Sequence, residues 1–259
     1  VGALVDHPTP GSGSAPPAAR PPDRTAAIAC FVDLDNTVTG GGAETGDPGY
    51  PQRDEPMRLY YSANPNPRVA VAVARHLGSP VEYVRASPRR PDQVEGFRAI
   101  NPNALVPVLV EGERRLWEAD AIACRLCAIA GSDFWRTGDE MAEMIMWVSW
   151  SAHHFNSAAG VLYFERLVRP RFSDEPAPAS VLEEAMGDFR RYAATLDDHL
   201  GGRAWLLGDR LSYADFRVAT NLPFADGAGL PVAEFRHVAR WRDRLSEIDA
   251  WRAPFDGLE

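Results

Sequence analysis

The stretch at residues 101–122, NPNALVPVLVEGERRLWEADAI, constrains this chain more than any other. Val106, Val108 and Val110 alternate, Glu111-Gly112 supply a turn, Arg115-Leu116-Trp117 return as a second strand, and a helical run opens at Glu118. Pro107 falls inside the first strand of that hairpin. Proline cannot donate to a ladder, so its place requires an edge strand or a special backbone geometry. A cis Val106–Pro107 bond provides such a geometry, at about 0.5–1 kcal/mol before proline against several for other residues.

The elements around the hairpin follow from local signals. Residues 1–56 are rich in Pro and Gly with little to bury, which predicts a mobile extension. At Met57 the pattern changes to MRLYY, an alternating strand. The loop SANPNPR then leads into VAVAVARHLG. Pro67 suits the first turn of that helix, Val69, Ala72, Val73 and Leu77 recur at helical spacing, and Gly78 is placed to end it. A strand over 81–84 and a short helix over 94–99 lead to the hairpin. The order strand-helix-strand-helix-strand-strand-helix over 57–131 is that of a thioredoxin-like α/β domain. Beyond Gly131 the pattern is helical over 139–166, 179–200, 213–224 and 232–248, which predicts an all-helical bundle over 139–255. Ser212 and Asp215 stand three apart at one helix start, as a capping box, with Leu211 as its hydrophobic staple.

Composition narrows the partners. A net charge of −9 and a pI near 5.2 weigh against nucleic acid and anionic membranes, which such a surface repels. The apolar run at 26–32 is too short for a membrane span and has no cleavage pattern behind it, so the chain reads as cytoplasmic. All 27 basic residues counted as Lys+Arg are arginines, which suggests a high-GC coding bias. Cys124 and Cys127 form a C-x-x-C, but they lie beyond the first turn of the helix that begins at Glu118 and read as buried core cysteines rather than a redox pair. No residue constellation suits a metal.

The 101–122 stretch resembles the glutathione-site half of the glutathione S-transferase superfamily. Asn101, Pro102, Val106, Pro107, Leu109, Trp117, Glu118, Ala121 and Ile122 match, whereas Leu105 stands where a lysine is common and Ala119 where a serine is. The 205–215 run, WLLGDRLSYAD, is similar to that family's helical domain, so the resemblance extends from Met57 to the C-terminus. It implies a thioredoxin-like domain followed by a helical bundle, a two-fold homodimer, and glutathione or another small thiol as ligand. The family's lysine and serine hold the two carboxylates of glutathione, so Leu105 and Ala119 imply weak glutathione binding or a changed ligand. Val106, Pro107 and Glu118 remain as thiol-binding residues. Arg68, Arg114 and Arg125 are candidates to replace the lost donors. A second, shorter resemblance lies upstream: Asp33-x-Asp35-Asn36-Thr37 is similar to the first motif of haloacid-dehalogenase-like phosphatases, in which one aspartate is the nucleophile. A different fold begins shortly after it, so the segment reads as a vestige or a docked strand.

The chemistry is expected where the first strand feeds the first helix, because helix-end N–H groups and the dipole favour an anion such as a thiolate. Ser62 and Asn64 stand there as the catalytic candidates. Asn64 has two readings: an amide donor to a bound thiolate, or a helix cap. In the resembled family the first helix of the helical part walls the electrophile's pocket, so the resemblance makes Trp150, His154 and Tyr163 candidates for that wall; aromatic core packing is the other reading for the helix, Trp147 above all, and a hydrogen-bonded structural residue the other reading for His154. The expected function is addition of a small thiol to an apolar electrophile, or its use in isomerisation or reductive removal. A thiol-independent biosynthetic enzyme and a non-catalytic binding protein are the alternatives.

Overall fold

The computed structural model describes residues 56–258. The 26–32 run, the Asp33–Asp35 motif and the rest of the upstream segment lie outside the described residues. The first strand, β1 (Met57–Tyr61), buries Met57, Leu59 and Tyr61 on one face, as the alternation of MRLYY dictates. It pairs in parallel with β2 (Val81–Arg85) and antiparallel with β3 (Val108–Glu111), which pairs antiparallel with β4 (Arg114–Trp117). The sheet order is β2-β1-β3-β4. Thus β3 is an inner strand and not an edge. It starts two residues later than the alternation predicts, directly after Pro107, whose missing N–H cannot enter the ladder. The Val106–Pro107 peptide is cis.

Helix α1 (Pro65–His76) follows β1. The expected core stripe on it is too narrow, since every residue over 69–74 is fully buried. The helix packs on β1 and is also covered by later helices, so no face of its middle turns meets solvent. Gly78, at φ +60°, closes it in the left-handed region that favours glycine. A short α2 (Val94–Arg98) buries Phe97 edge-on to Tyr60. After the hairpin comes α3 (Ala119–Ala130), ended by Gly131 at φ +61°. On α3, Cys127 is buried but Cys124 is exposed, which corrects the reading of both as core cysteines: three residues turn the side chain about 300°, and this places Cys124 on the outer face.

The helical part opens with one long rod. α4 (Glu140–Trp150) runs through a π-helical turn at Ser151–Phe155 into α5 (Asn156–Tyr163) and a second such turn at Phe164–Val168. Next come α6 (Ala179–His199), α7 (Tyr213–Val218), α8 (Ala225–Ala228), α9 (Arg236–Ser246) and α10 (Asp249–Arg252). α7 is shorter than the predicted 213–224. The chain turns at Ala219 and continues as a 3₁₀ turn over Leu222–Phe224, where Pro223 disfavours helical backbone before it. The capping box is present at Ser212 and Asp215. Asp215 is completely buried and accepts four hydrogen bonds: the Ser212 amide at 2.9 Å and hydroxyl at 3.0 Å, the Leu206 amide at 2.9 Å and Trp241 Nε1 at 3.0 Å. Burial raises its pKa, and those four bonds oppose the rise. Among the described residues, no helix is long and apolar enough to cross a membrane, and no group of three or more His, Cys, Asp or Glu is placed to hold a metal ion.

Candidate functional site

Strand register gathers three separate stretches at one end of the sheet. Tyr60 lies opposite Val108 and Val108 opposite Trp117. The chain therefore leaves β1 towards Ser62 and Asn64, enters β3 from Val106 and Pro107, and leaves β4 towards Glu118, all at that end. Three of the residues anticipated for the thiol, Val106, Pro107 and Glu118, and both catalytic candidates belong to these stretches.

Asn64 is the N-cap residue of α1, with extended backbone at φ −83° and ψ 163°, and its carbonyl accepts the Arg68 amide at 3.0 Å. Its side chain makes no capping bond. Instead Nδ2 donates to Ser62 Oγ at 3.1 Å, on the exposed side of the loop. Of the two readings of Asn64, side-chain capping is thus not the one observed, and the amide is engaged with Ser62. Because Pro65 and Pro67 carry no N–H, the first turn of α1 offers few backbone donors of its own, which leaves side chains to supply them.

The approach to Val106 is shaped by Asn101, which is buried at 2 % exposure. Its Nδ2 donates to the Leu105 carbonyl at 2.9 Å, and its Oδ1 accepts the Asn103 amide at 3.0 Å. Ala104 takes φ +49° in the turn so formed. Val106 makes no backbone hydrogen bond with any described residue, so its N–H and C=O form a short open strand edge beside Pro107.

Glu118 precedes α3 with φ +74° and ψ 129°, a left-handed conformation that costs a non-glycine residue about 1–3 kcal/mol. Crowding by the surrounding protein raises its carboxyl above the ordinary value, Arg217 opposes the rise, and Asp120 adds to it. Asp120, in the first turn of α3, accepts Tyr213 Oη at 2.5 Å and lies 2.9 Å from Arg217 Nε. That second contact is an ion pair rather than a directed bond, since Nε has no hydrogen-bond partner. Arg217 Nη1 donates to Asn66 Oδ1 at 2.7 Å in the first turn of α1. Burial alone would lower the Arg217 guanidinium; Asp120, Tyr213 and Glu118 outweigh it and leave it above its ordinary value. Asn66, Asp120 and Arg217 were not singled out from sequence. The one signal was an arginine inside the apolar turn directly after the capping box.

The remaining candidates lie elsewhere. Arg68 is buried, its Nη2 donates to the Trp251 carbonyl, and its guanidinium lies 4.6 Å from the Trp251 ring centroid. Burial brings its pKa down to about 10. It lines a cavity of about 420 Å³ with Leu222, Pro223 and Trp251, none of which belongs to the three gathered stretches. Trp150 and His154 pack on Tyr192 of α6, at 6.2 and 5.0 Å between ring centroids. Both side chains are half-buried in this contact between helices. The two rings are also 6.4 Å apart, so the spacing that grouped them holds through the start of the π-helical turn of Ser151–Phe155. Asn156 of the rod bonds to α7: its Nδ2 donates to the Arg217 carbonyl at 2.9 Å. Tyr163 stands edge-on to Phe224 at 4.9 Å, and burial raises its phenol while Arg171 opposes.

Residues 55–124 match the family described as glutathione S-transferase, N-terminal domain, and residues 179–253 the family described as glutathione S-transferase, C-terminal domain. The chain belongs to the glutathione S-transferase family, a family of transferases. It is 29% identical over 210 residues to glutathione S-transferase 3 of Zea mays, covering 76% of this chain and 92% of the relative. It is 31% identical over 165 residues to a dichloromethane dehalogenase of Methylorubrum extorquens, covering 57% and 55%. Among solved structures, apo human glutathione S-transferase T1-1 aligns with a TM-score of 0.69 at 25% identity over 77% of this chain and 88% of that one.

Proposed function

We propose that the chain transfers a small thiol to an apolar electrophile at the sheet end where Ser62, Asn64, Val106, Pro107 and Glu118 meet. The observation that carries this reading is the open backbone edge of Val106, set between an amide donor at one helix start and a carboxylate at another. A cysteinyl unit would pair with Val106 in strand fashion, its sulfur would face Asn64, and an attached amine would face Glu118. Asn64 then donates an N–H to the thiolate, and a hydrogen bond to a charged group contributes about 1.5–3 kcal/mol, or about one to two pKa units on the bound thiol. The thiol proton goes to solvent, sulfur bonds to the electrophilic carbon, and the leaving group departs with its electron pair. The relative named as a dichloromethane dehalogenase supports halide as one such leaving group.

The residues present fit part of glutathione and not the whole of it. Backbone pairing and the amine contact are available, but Leu105 and Ala119 provide no side-chain donor for the two carboxylates. The three arginines considered as substitutes are engaged or distant. Arg68 is turned to Trp251 as described. Arg125 is bidentate to Glu111 at 2.9 and 2.5 Å, and Arg114 sits at the hairpin turn, 3.9 Å from Glu111. Losing two charge-assisted bonds costs roughly 3–6 kcal/mol, a factor of about 10² to 10⁴ in affinity. Millimolar glutathione is therefore expected to shift the melting temperature little in the unmodified chain, and Leu105→Lys with Ala119→Ser to create a shift of several degrees. A clear shift at micromolar glutathione in the unmodified chain would refute the weak-glutathione reading. Failure of every small thiol to support turnover of a model aryl halide would refute the transferase reading itself.

A further inference from the structure

We propose that Arg217 is a positioning residue that sets the separation between the start of α1 and the start of α3, so that the sulfur end and the amine end of one thiol are held together; this rests on the thiol reading above. The two helix starts belong to different strand-helix units, and each carries one half of the candidate site. Asn66 lies two residues beyond Asn64, and Asp120 two residues beyond Glu118. Arg217 reaches both, through Nη1 to Asn66 and Nε to Asp120.

The arginine is anchored from behind. Its carbonyl accepts Asn156 Nδ2 from the long rod, and the start of its own helix is pinned by the four bonds to Asp215. It is 5 % exposed. Burying a guanidinium is costly, and an apolar contact of the same size usually stabilises a fold at least as well, so an ion pair retained here is better explained by geometry than by stability. Arginine suits this place because its fork directs Nη1 at Asn66 while the same delocalised charge faces Asp120, which a compact lysine ammonium on a flexible stem matches less well. The charges also suit the ligand. Arg217 offsets Asp120, so the carboxylate of Glu118 remains to meet a ligand ammonium.

The test compares wild type with Arg217→Met and Arg217→Lys, by amide hydrogen exchange and by turnover of 1-chloro-2,4-dinitrobenzene with a panel of small thiols. In Arg217→Met, exchange at Arg68 and Val69 and at Ile122 and Ala123 should rise about tenfold or more, while Leu59 and Leu109 in the sheet stay unchanged. The KM for the thiol should rise about tenfold with the KM for the aryl halide constant to about twofold, and Arg217→Lys should fall between the two. KM does not depend on the fraction of folded enzyme, so loss of folded protein alone cannot imitate this split. Should Arg217→Met fail to fold, Asn66→Ala removes one acceptor from an accessible turn and should loosen α1 alone. Exchange that rises uniformly, or at neither helix start, would overturn the proposal, as would equal changes in both KM values. An absence of thiol-dependent turnover in wild type would overturn the transferase reading, and the exchange pattern would still decide whether Arg217 positions the two helix starts.

Discussion

Burial lifts the Cys127 thiol to about 11, with a backbone hydrogen bond from Trp135 opposing and Cys124 and Asp133 adding to the rise. At pH 8 that leaves a thiolate fraction of about 10⁻³, and the thiolate is the reactive form. Cys124 is exposed, yet partial burial raises its thiol too. Neither group is an activated thiol. In a Cys30→Ser background, an aromatic disulfide reagent at pH 8 should modify Cys124 more slowly than free cysteine and reach Cys127 only on unfolding. Rapid release of two equivalents from the native protein would contradict this and restore the redox reading of the pair. The same logic explains which site residues were readable from sequence. Val106, Glu118 and Asn64 are marked by neighbours a few positions away, a proline, a hairpin and a helix start. Arg217 is defined by a partner 151 positions distant, and no local pattern carries that.

Helix starts and stops account for most of what the sequence revealed at the level of elements. Gly78 and Gly131 end helices in the left-handed region, and Ser212 with Asp215 begins one, because each acts on backbone within a few residues. Interruptions inside a helix were less legible. The rod from Glu140 to Val168 contains two π-helical turns, which no helix start or stop signal in its sequence marks. Asp215 shows how much one local signal can hide. Beyond its own helix start, it binds the Leu206 amide and the Trp241 indole, joining three segments of the bundle. Asp215→Ala would leave those donors buried without partners, and a loss of about 3–5 kcal/mol is expected. Chemical denaturation measures it. A change below about 1 kcal/mol would mean that the box is dispensable and that Arg217 has no firm base.

At the scale of the whole molecule, the C-terminal segment closes the helical part onto the thioredoxin-like layer. Arg68 and Arg75 of α1 donate to the carbonyls of Trp251 and Asp256, and Phe255 stacks on Tyr61 of β1. The interior is thereby accounted for, and the large apolar side chains left over are at the surface. Met141, Ile145 and Met146 on α4 are 42 to 53 % exposed, and Trp117 on the edge strand β4 is 40 % exposed. Scattered apolar residues are ordinary on a surface, but three within two turns of one helix form a patch of the kind that marks an interface. We propose that this face pairs two copies of the chain about a two-fold axis, in which each patch meets the same surface of its partner. Sedimentation at micromolar concentration should then give a particle of twice the 28.4 kDa chain mass. Ile145→Glu with Met146→Glu would place two carboxylates from each subunit in the contact, and the expected result is a folded single chain with an unchanged circular dichroism spectrum. A wild-type particle of 28.4 kDa would refute the dimer, and a double variant that still sediments at twice that mass would move the interface away from α4.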